Sequence, residues 1–328
     1  MEQERRSIRV GMVMIACALL LRLAGSAFDG VVVLLSEPKV AAFLIYLQTG
    51  RLVRLDALQE TIATTPPATE QTDPAPQIQP VSFAAQEADV IKTANYTRYA
   101  PNLGKLLTSS LAWDLTEDAP AVLIVHTHAT ESYTGTAGYR TEDAQYNMLR
   151  VGREIADVLE KNGIGVIHDT TLHDKPTYNG SYGYARQTIA AYLKQYPSIR
   201  MVLDVHRDAL EMSESVQLST HAQVDGQDSA QIMLVMGTDA GGLHHPNWQE
   251  NLAVGVKLQV LLERKYPGIC RPMNLRTERF NQDLCSGGMI VEVGAAGDSL
   301  EEALVAARAF AGSIVELCRG TATADSTN

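Results

Sequence analysis

Three short apolar runs, each ending in imidazole or carboxylate side chains, constrain this chain more than any other feature. They are Val-Leu-Ile-Val-His126-Thr-His128-Ala-Thr-Glu131, Val-Leu-Asp-Val-His206-Arg207-Asp208 and Met-Ile-Val-Glu292-Val-Gly294. Each run is rich in β-branched residues and long enough for one strand of a buried sheet. Strand patterns at 121–125, 165–167, 201–205 and 289–293 alternate with helical patterns at 146–162, 184–195, 247–265 and 299–318. The first helix carries Met148, Val151, Ile155, Val158 and Leu159 on one face and meets Gly163 as its stop. This alternation predicts the α/β class, a doubly wound, mostly parallel sheet flanked by helices. The runs 216–224 and 231–236 flank Asp225-Gly226, which reads as a hairpin turn between them.

In an open α/β sheet, ligands bind in the crevice outside the strand carboxyl ends. The three motifs then bring two or three imidazoles and two carboxylates to one place, a set that suits a zinc ion with a general base beside it. His206 follows directly on its strand. Alternation along an extended chain points His126 and His128 the same way, and a turn after His128 returns Glu131 to the same ion. The spacing is compatible with either histidine as ligand. A carboxylate inside the apolar segment around Glu292 is costly unless it is paired or functional, and beside a metal-activated water Glu292 is the general base. Asp204 or Asp208 can orient the second ring nitrogen of His206, and Arg207 can hold a substrate carboxylate. His244 and His245 precede Pro246 and read as a loop feature; His168, His173 and His221 read as surface or structural residues. Nucleophilic catalysis has weaker support: Ser132 lacks a G-x-S-x-G elbow, and Cys285 paired with His206 would need an electropositive setting. No glycine-rich phosphate cradle follows a strand.

The amino terminus organises the rest. Arg5, Arg6 and Arg9 precede an apolar run from Val10 to Leu21, and the segment continues through Arg22 to Phe28. That pattern predicts an uncleaved signal anchor, with cleavage after Gly25-Ser26-Ala27 as the alternative, and the remainder exported. The expected location is the cell membrane, single-pass, with the folded domain on the extracytoplasmic side. The expected division is residues 1–30 as anchor, 31–94 as juxtamembrane segment and linker, 95–320 as catalytic domain and 321–328 as a disordered tail. Within the second part, residues 40–47 read as a short amphipathic element. Pro66, Pro67, Pro74, Pro76 and Pro80, set among Thr, Gln and Ala, mark the linker. The chain has 328 residues and a formal net charge of −11, which disfavours a broad attraction to nucleic acid. Four cysteines form no CxxC pair. A Cys270–Cys285 disulfide suits an exported domain, with free thiols the slightly favoured reading.

At these residues the chain resembles the stage II sporulation protein P family of membrane-anchored cell-wall hydrolases. The resemblance rests on HTHATESY at 126–133, VGREIADVLEKNGIGVIHDTT at 151–171, LDVHRDA at 203–209, NQDLCSGGMIVEVG at 281–294 and EEAL at 301–304. It implies a zinc-dependent N-acetylmuramoyl-L-alanine amidase that also cleaves stem-peptide cross-links. It implies a zinc amidase-like fold, peptidoglycan as substrate, a lytic transglycosylase and a membrane scaffold as partners, and engulfment during endospore formation as the setting. Carried over residue by residue, it implies His128, favoured over His126, with Glu131 and His206 on zinc and Glu292 as catalytic carboxylate. It places Asn281, Gln282 and Asp283 at the substrate pocket. Two other classes remain open at this point: a catalytically silent peptidoglycan-binding or scaffold protein, and a zinc carboxypeptidase of similar fold.

Overall fold

Four β-branched or leucine-rich segments too short for helices pair side by side in the middle of the molecule. They are β2 (Val122–Val125), β3 (Val166–His168), β4 (Met201–Asp208) and β7 (Gly288–Ala295). Three more strands, β1 (Thr93–Asn95), β5 (Ile232–Gly237) and β6 (Met273–Arg276), complete a seven-stranded sheet of order β1-β6-β5-β7-β4-β2-β3. Five of its six pairings are parallel, and β5 runs antiparallel to β7. The fold is thus mixed α/β with a mostly parallel sheet flanked by helices. The computed structural model describes residues 78–322 apart from 80, 112–114, 116–118, 176, 214–215 and 320. The expected anchor, the 40–47 element, most of the linker and the tail beyond 322 lie outside the described residues. Among the described residues no helix is long and apolar enough to cross a membrane.

Helices α1 (Leu103–Thr108), α2 (Met148–Lys161), α3 (Ser181–Gln195), α4 (Trp248–Lys265) and α5 (Leu300–Arg319) cover the sheet. Alternation along the strands sorts the faces. Val122, Ile124, Met201, Leu203, Val205, Val291 and Val293 belong to the core shared with α2, α4 and α5. Leu123, Val125 and Val202 face α3 through Ile189. Asn147 caps α2 by accepting from Leu149 N–H, and Gly163, at φ 68°, lies just beyond its end. Ser299 and Glu302 bond reciprocally as a capping box at the start of α5.

Two sequence expectations change here. Asp225-Gly226 does turn a hairpin, both residues at positive φ, but its arms are Ala222–Val224 and Gln227–Ser229. The run after it, expected as a hairpin arm, is instead the fully buried strand β5 of the central sheet. An apolar side chain at nearly every position makes a run suited to burial on both faces, which a two-stranded hairpin cannot supply. The domain also begins before residue 95, because Thr93–Asn95 is already the edge strand beside β6 and a 3-10 turn at Ala85–Val90 precedes it.

Candidate hydrolytic centre

Parity along β4 and β7 decides which side chains meet. Asp204 and His206 share the face of Val202, and Glu292 shares that of Ile290, so all three project toward α3. Glu292 stands directly beside His206 in the parallel register, and Ile290 beside Asp204. Strand β4 continues through His206 to Asp208, rather than ending at Val205, so the cluster lies on the sheet's face near the carboxyl ends of its strands. A register shift between Glu292 and Ala295 bends β7 there. Gly294 sits at φ 72°, where a Cβ would come within 2.6 Å of the Asp298 carboxylate.

The chain leaves β2 at Val125 and turns. Thr127 donates its N–H and hydroxyl to the Asp204 carboxylate, and Glu131 N–H closes the turn onto the His128 carbonyl at 3.1 Å. Asp174 receives the N–H and hydroxyl of Thr130 and, at 3.2 Å, the Arg140 guanidinium. This turn presents His128 and Glu131 to His206. The His206 Nδ1 lies 3.6 Å from Glu131 Oε2, and the His128 and His206 rings stand nearly perpendicular with centroids 5.3 Å apart. The Asp204 carboxylate takes His206 Nε2–H at 2.8 Å. Of the two flanking aspartates, Asp204 is therefore the one that orients the ring, leaving Nδ1 toward Glu131.

The electrostatics agree with the geometry. Burial raises the Asp204 carboxyl, but His206 and the Thr127 donors outweigh that and hold it down at about 2. Burial works against charge on His206 and is outweighed by Asp204 and Glu131, which hold the imidazole well above its usual value. Burial, aided by His206, pulls His128 down to about 4, so this ring is neutral at pH 7. Burial pushes Glu292 up to about 8, with Glu131 adding to the rise and His206 opposing it.

Among the described residues, no three acidic, imidazole or thiol side chains already surround one point as a finished metal shell. The test of fit is which polar atoms are orphaned. His128 Nδ1, Glu131 Oε2 and Glu292 Oε2 are all buried with no hydrogen-bond partner. Buried polar groups are almost always satisfied, and three exceptions on neighbouring residues need an explanation. Two imidazole nitrogens and one carboxylate oxygen are the donor set of a hydrolytic zinc site. By donor chemistry, His128, Glu131 and His206 fit zinc, with Glu292 beside them.

The structure separates His126 from this group. Its parity is that of Ile124, so the ring turns to the α2 face of the sheet. There Nδ1 donates to the Val205 carbonyl at 3.0 Å and Nε2 meets His168 Nε2 at 2.9 Å. The same-direction expectation fails because the extended chain ends at Val125. Arg207, expected at a substrate carboxylate, has partners within the chain. It is buried, donating to the carbonyls of Ser132 at 3.0 Å and Tyr139 at 3.1 Å, and it braces the Glu131 loop. Gln282 is buried as well, pairing with Gly237 N–H and the Val235 carbonyl on β5. Asn281 donates to the Tyr182 carbonyl and Asp283 pairs with Arg186, so both reach α3.

Cys270 and Cys285 are free thiols, so the disulfide between them does not form. Cys285 does not serve as a nucleophile for His206, since its thiol donates to the Arg200 carbonyl and burial pushes it up. His173 is buried and bonds the His126 carbonyl and Thr188, a structural role. Sequence reasoning missed two aromatic residues. Tyr178 stacks on His128 with centroids 4.2 Å apart, under the Arg140 guanidinium. Tyr182 meets the same imidazole edge-on.

The model of the stage II sporulation protein P family matches residues 56–315, most of the chain. The stage II sporulation protein P of Bacillus subtilis (strain 168) is 28% identical over 212 residues, covering 60% of this chain and 50% of that protein. The chain thus matches about half the length of this curated relative. Among solved structures, the N-acetylmuramoyl-L-alanine amidase AmiC2 of Nostoc punctiforme overlaps 60% of this chain and 96% of its own, with a TM-score of 0.37 and 14% identity. The CwlD amidase of Clostridioides difficile, solved with the GerS lipoprotein, overlaps 61% of this chain and 95% of its own, with a TM-score of 0.38 and 13% identity. By the match that spans residues 56–315, and with its motifs in place on the strands, the chain belongs to the stage II sporulation protein P family.

Proposed function

We propose that this chain is a zinc-dependent peptidoglycan hydrolase of sporulation. It cleaves the amide between N-acetylmuramic acid and L-alanine, with stem-peptide cross-links as a second substrate. The observation that carries this reading is the convergence of orphaned buried donors on His128, Glu131 and Glu292 around His206. Family membership supports the setting in the cell wall and in sporulation. The anchor over residues 1–30, the extracytoplasmic position and the lytic transglycosylase and scaffold partners belong to the same proposal.

His128, Glu131 and His206 would hold the zinc, which supplies a Lewis acid for the amide carbonyl and lowers the pKa of water. Asp204 fixes the tautomer of His206, so that Nδ1 is the free donor. Glu292 takes a proton from the attacking water, whose oxygen bonds to the lactyl carbonyl carbon. The carbon–nitrogen bond breaks and the nitrogen leaves with that proton, giving a lactyl carboxylate and a stem peptide with a new amino terminus. Glu292, held at about 8 by burial, would be drawn down toward the range of a base at neutral pH by the double positive charge of a bound zinc.

The test incubates the full chain with purified peptidoglycan, with and without a zinc chelator, and identifies released fragments by mass spectrometry. Chelator-sensitive release of stem peptides bearing an L-alanine amine is the expected result. A zinc-loaded chain that binds the wall and releases nothing would favour the silent scaffold. Trimming confined to free stem peptides would favour the carboxypeptidase. Glu292→Gln should keep zinc and lose turnover by about 10²–10⁴-fold; retained turnover would remove Glu292 from the role of base.

A further inference from the structure

Beside the centre, a groove of about 560 Å³ opens between Tyr182 of α3 and the loops after β5 and β6, lined by Leu243, Arg279, Phe280 and Asn281. Tyr182 belongs to both places. Its ring meets His128 edge-on with centroids 5.6 Å apart, and lies 5.8 Å from Phe280 on the groove wall. It rests on Met233 and Val235 of β5 and Ile290 of β7, as Phe280 does.

The residue is held through its backbone and the next turn of its helix. Asn281 donates to the Tyr182 carbonyl at 2.8 Å. One turn along α3, Arg186 makes two parallel bonds to Asp283 at 2.8 and 2.7 Å, and Arg279 adds a third contact to that carboxylate at 3.3 Å. The segment that provides these contacts is strained: Phe280 and Asn281 both sit at positive φ, 50° and 61°. Asparagine tolerates that region, but phenylalanine does so at a cost. Strain of this kind persists where surrounding structure enforces it, and it clusters at functional sites. The clamp closes on the residue's backbone and helix turn, while its ring is the part that meets His128 and Phe280.

We propose that Tyr182 is a catalytic residue of this centre, its phenol donating a hydrogen bond to the substrate's carbonyl oxygen, and that Asn281, Asp283 and Arg186 are its positioning residues. This rests on the hydrolase reading above. Negative charge builds on that oxygen as water adds, and a preorganised neutral donor stabilises the charge more than it stabilises the ground state. The Asn281-Gln282-Asp283 segment thereby acts through Tyr182, with Gln282 anchoring it to β5.

The test compares the full chain with Tyr182→Phe, Arg186→Gln and the double variant, reading kcat, KM and zinc affinity by chelator competition. Tyr182→Phe should lower kcat about a hundredfold, with KM and zinc affinity within about twofold of the parent. Arg186→Gln should lower kcat in the parent and have little further effect once Tyr182→Phe is already present, since coupled residues are non-additive. Unchanged kcat in Tyr182→Phe overturns the proposal, as does an equal Arg186→Gln loss in both backgrounds, which marks a structural effect. A parent chain that binds zinc but releases no fragments fails at the earlier step, overturning the hydrolase reading and this role with it.

Discussion

His126 and His128 stand two positions apart, yet the chain spends them on opposite faces of one sheet. Both nitrogens of His126 are engaged; His128 keeps a buried Nδ1 with no partner. His128→Gln should therefore lose more zinc affinity than the about 10–100-fold typical of removing an outer-shell partner. His126→Gln should retain full zinc stoichiometry and lose stability instead. Chelator competition and thermal unfolding on the same two variants separate these effects, and equal zinc loss in both would refute the assignment. The sequence made His206 and Glu292 legible because each lies on a strand whose length is plain. It could not separate the other two histidines, since their directions depend on where β2 stops.

The carbonyl of Val205 can only accept, so a neutral His126 carries its proton on Nδ1 and its Nε2 accepts from His168. Burial, with Arg153 nearby, pulls His168 down to about 4. Burial, with His168 beside it, pulls His126 to about 3. An unfolded chain takes up both protons near pH 6.5. Between that pH and about 4 the unfolded state therefore binds more protons, and stability falls as pH falls. His168→Gln keeps a donor for His126 and removes one of the two titrations. The urea midpoint should then drop less between pH 7 and pH 5 than in the parent, the removed share amounting to about 2 kcal/mol; an equal drop would refute the account.

At the scale of elements, helix α2 was the easiest to read and contains a tight constraint of its own. Its apolar face, its stop at Gly163 and nearly its full span follow from the 3.6-residue period. The period does not reveal why position 152 is glycine. A Cβ there would lie 2.5 Å from His126 Nε2 and 2.7 Å from His168 Nε2, two buried ring atoms already bonded to each other. Gly152→Ala gains helix propensity yet should destabilise the fold by about 1–3 kcal/mol through overpacking, read as a lower melting temperature. A rise in melting temperature would show that the rings have room to shift. Helix α3 was harder. Its expected start at Tyr184 fell three residues late, and Tyr182, in the true first turn, went unnoticed. Helix ends depend on capping and on packing partners, and here Asn281 and Asp283 come from about a hundred residues downstream.

For the whole molecule, strand and helix alternation was sufficient for the class but not for the order of strands. Nothing local to Ile232–Gly237 says that it runs against β7, and three residues at Thr93–Asn95 are too few to show a period. The same antiparallel junction decides where the sheet opens. It sets Met233 and Val235 of β5 beside Ile290 of β7, and Tyr182 and Phe280 pack over them. Two residues further along the same face, about 7 Å of strand, comes Glu292, the one position of β7 that is not fully buried. The sheet is thus a closed wall with a window one side chain wide.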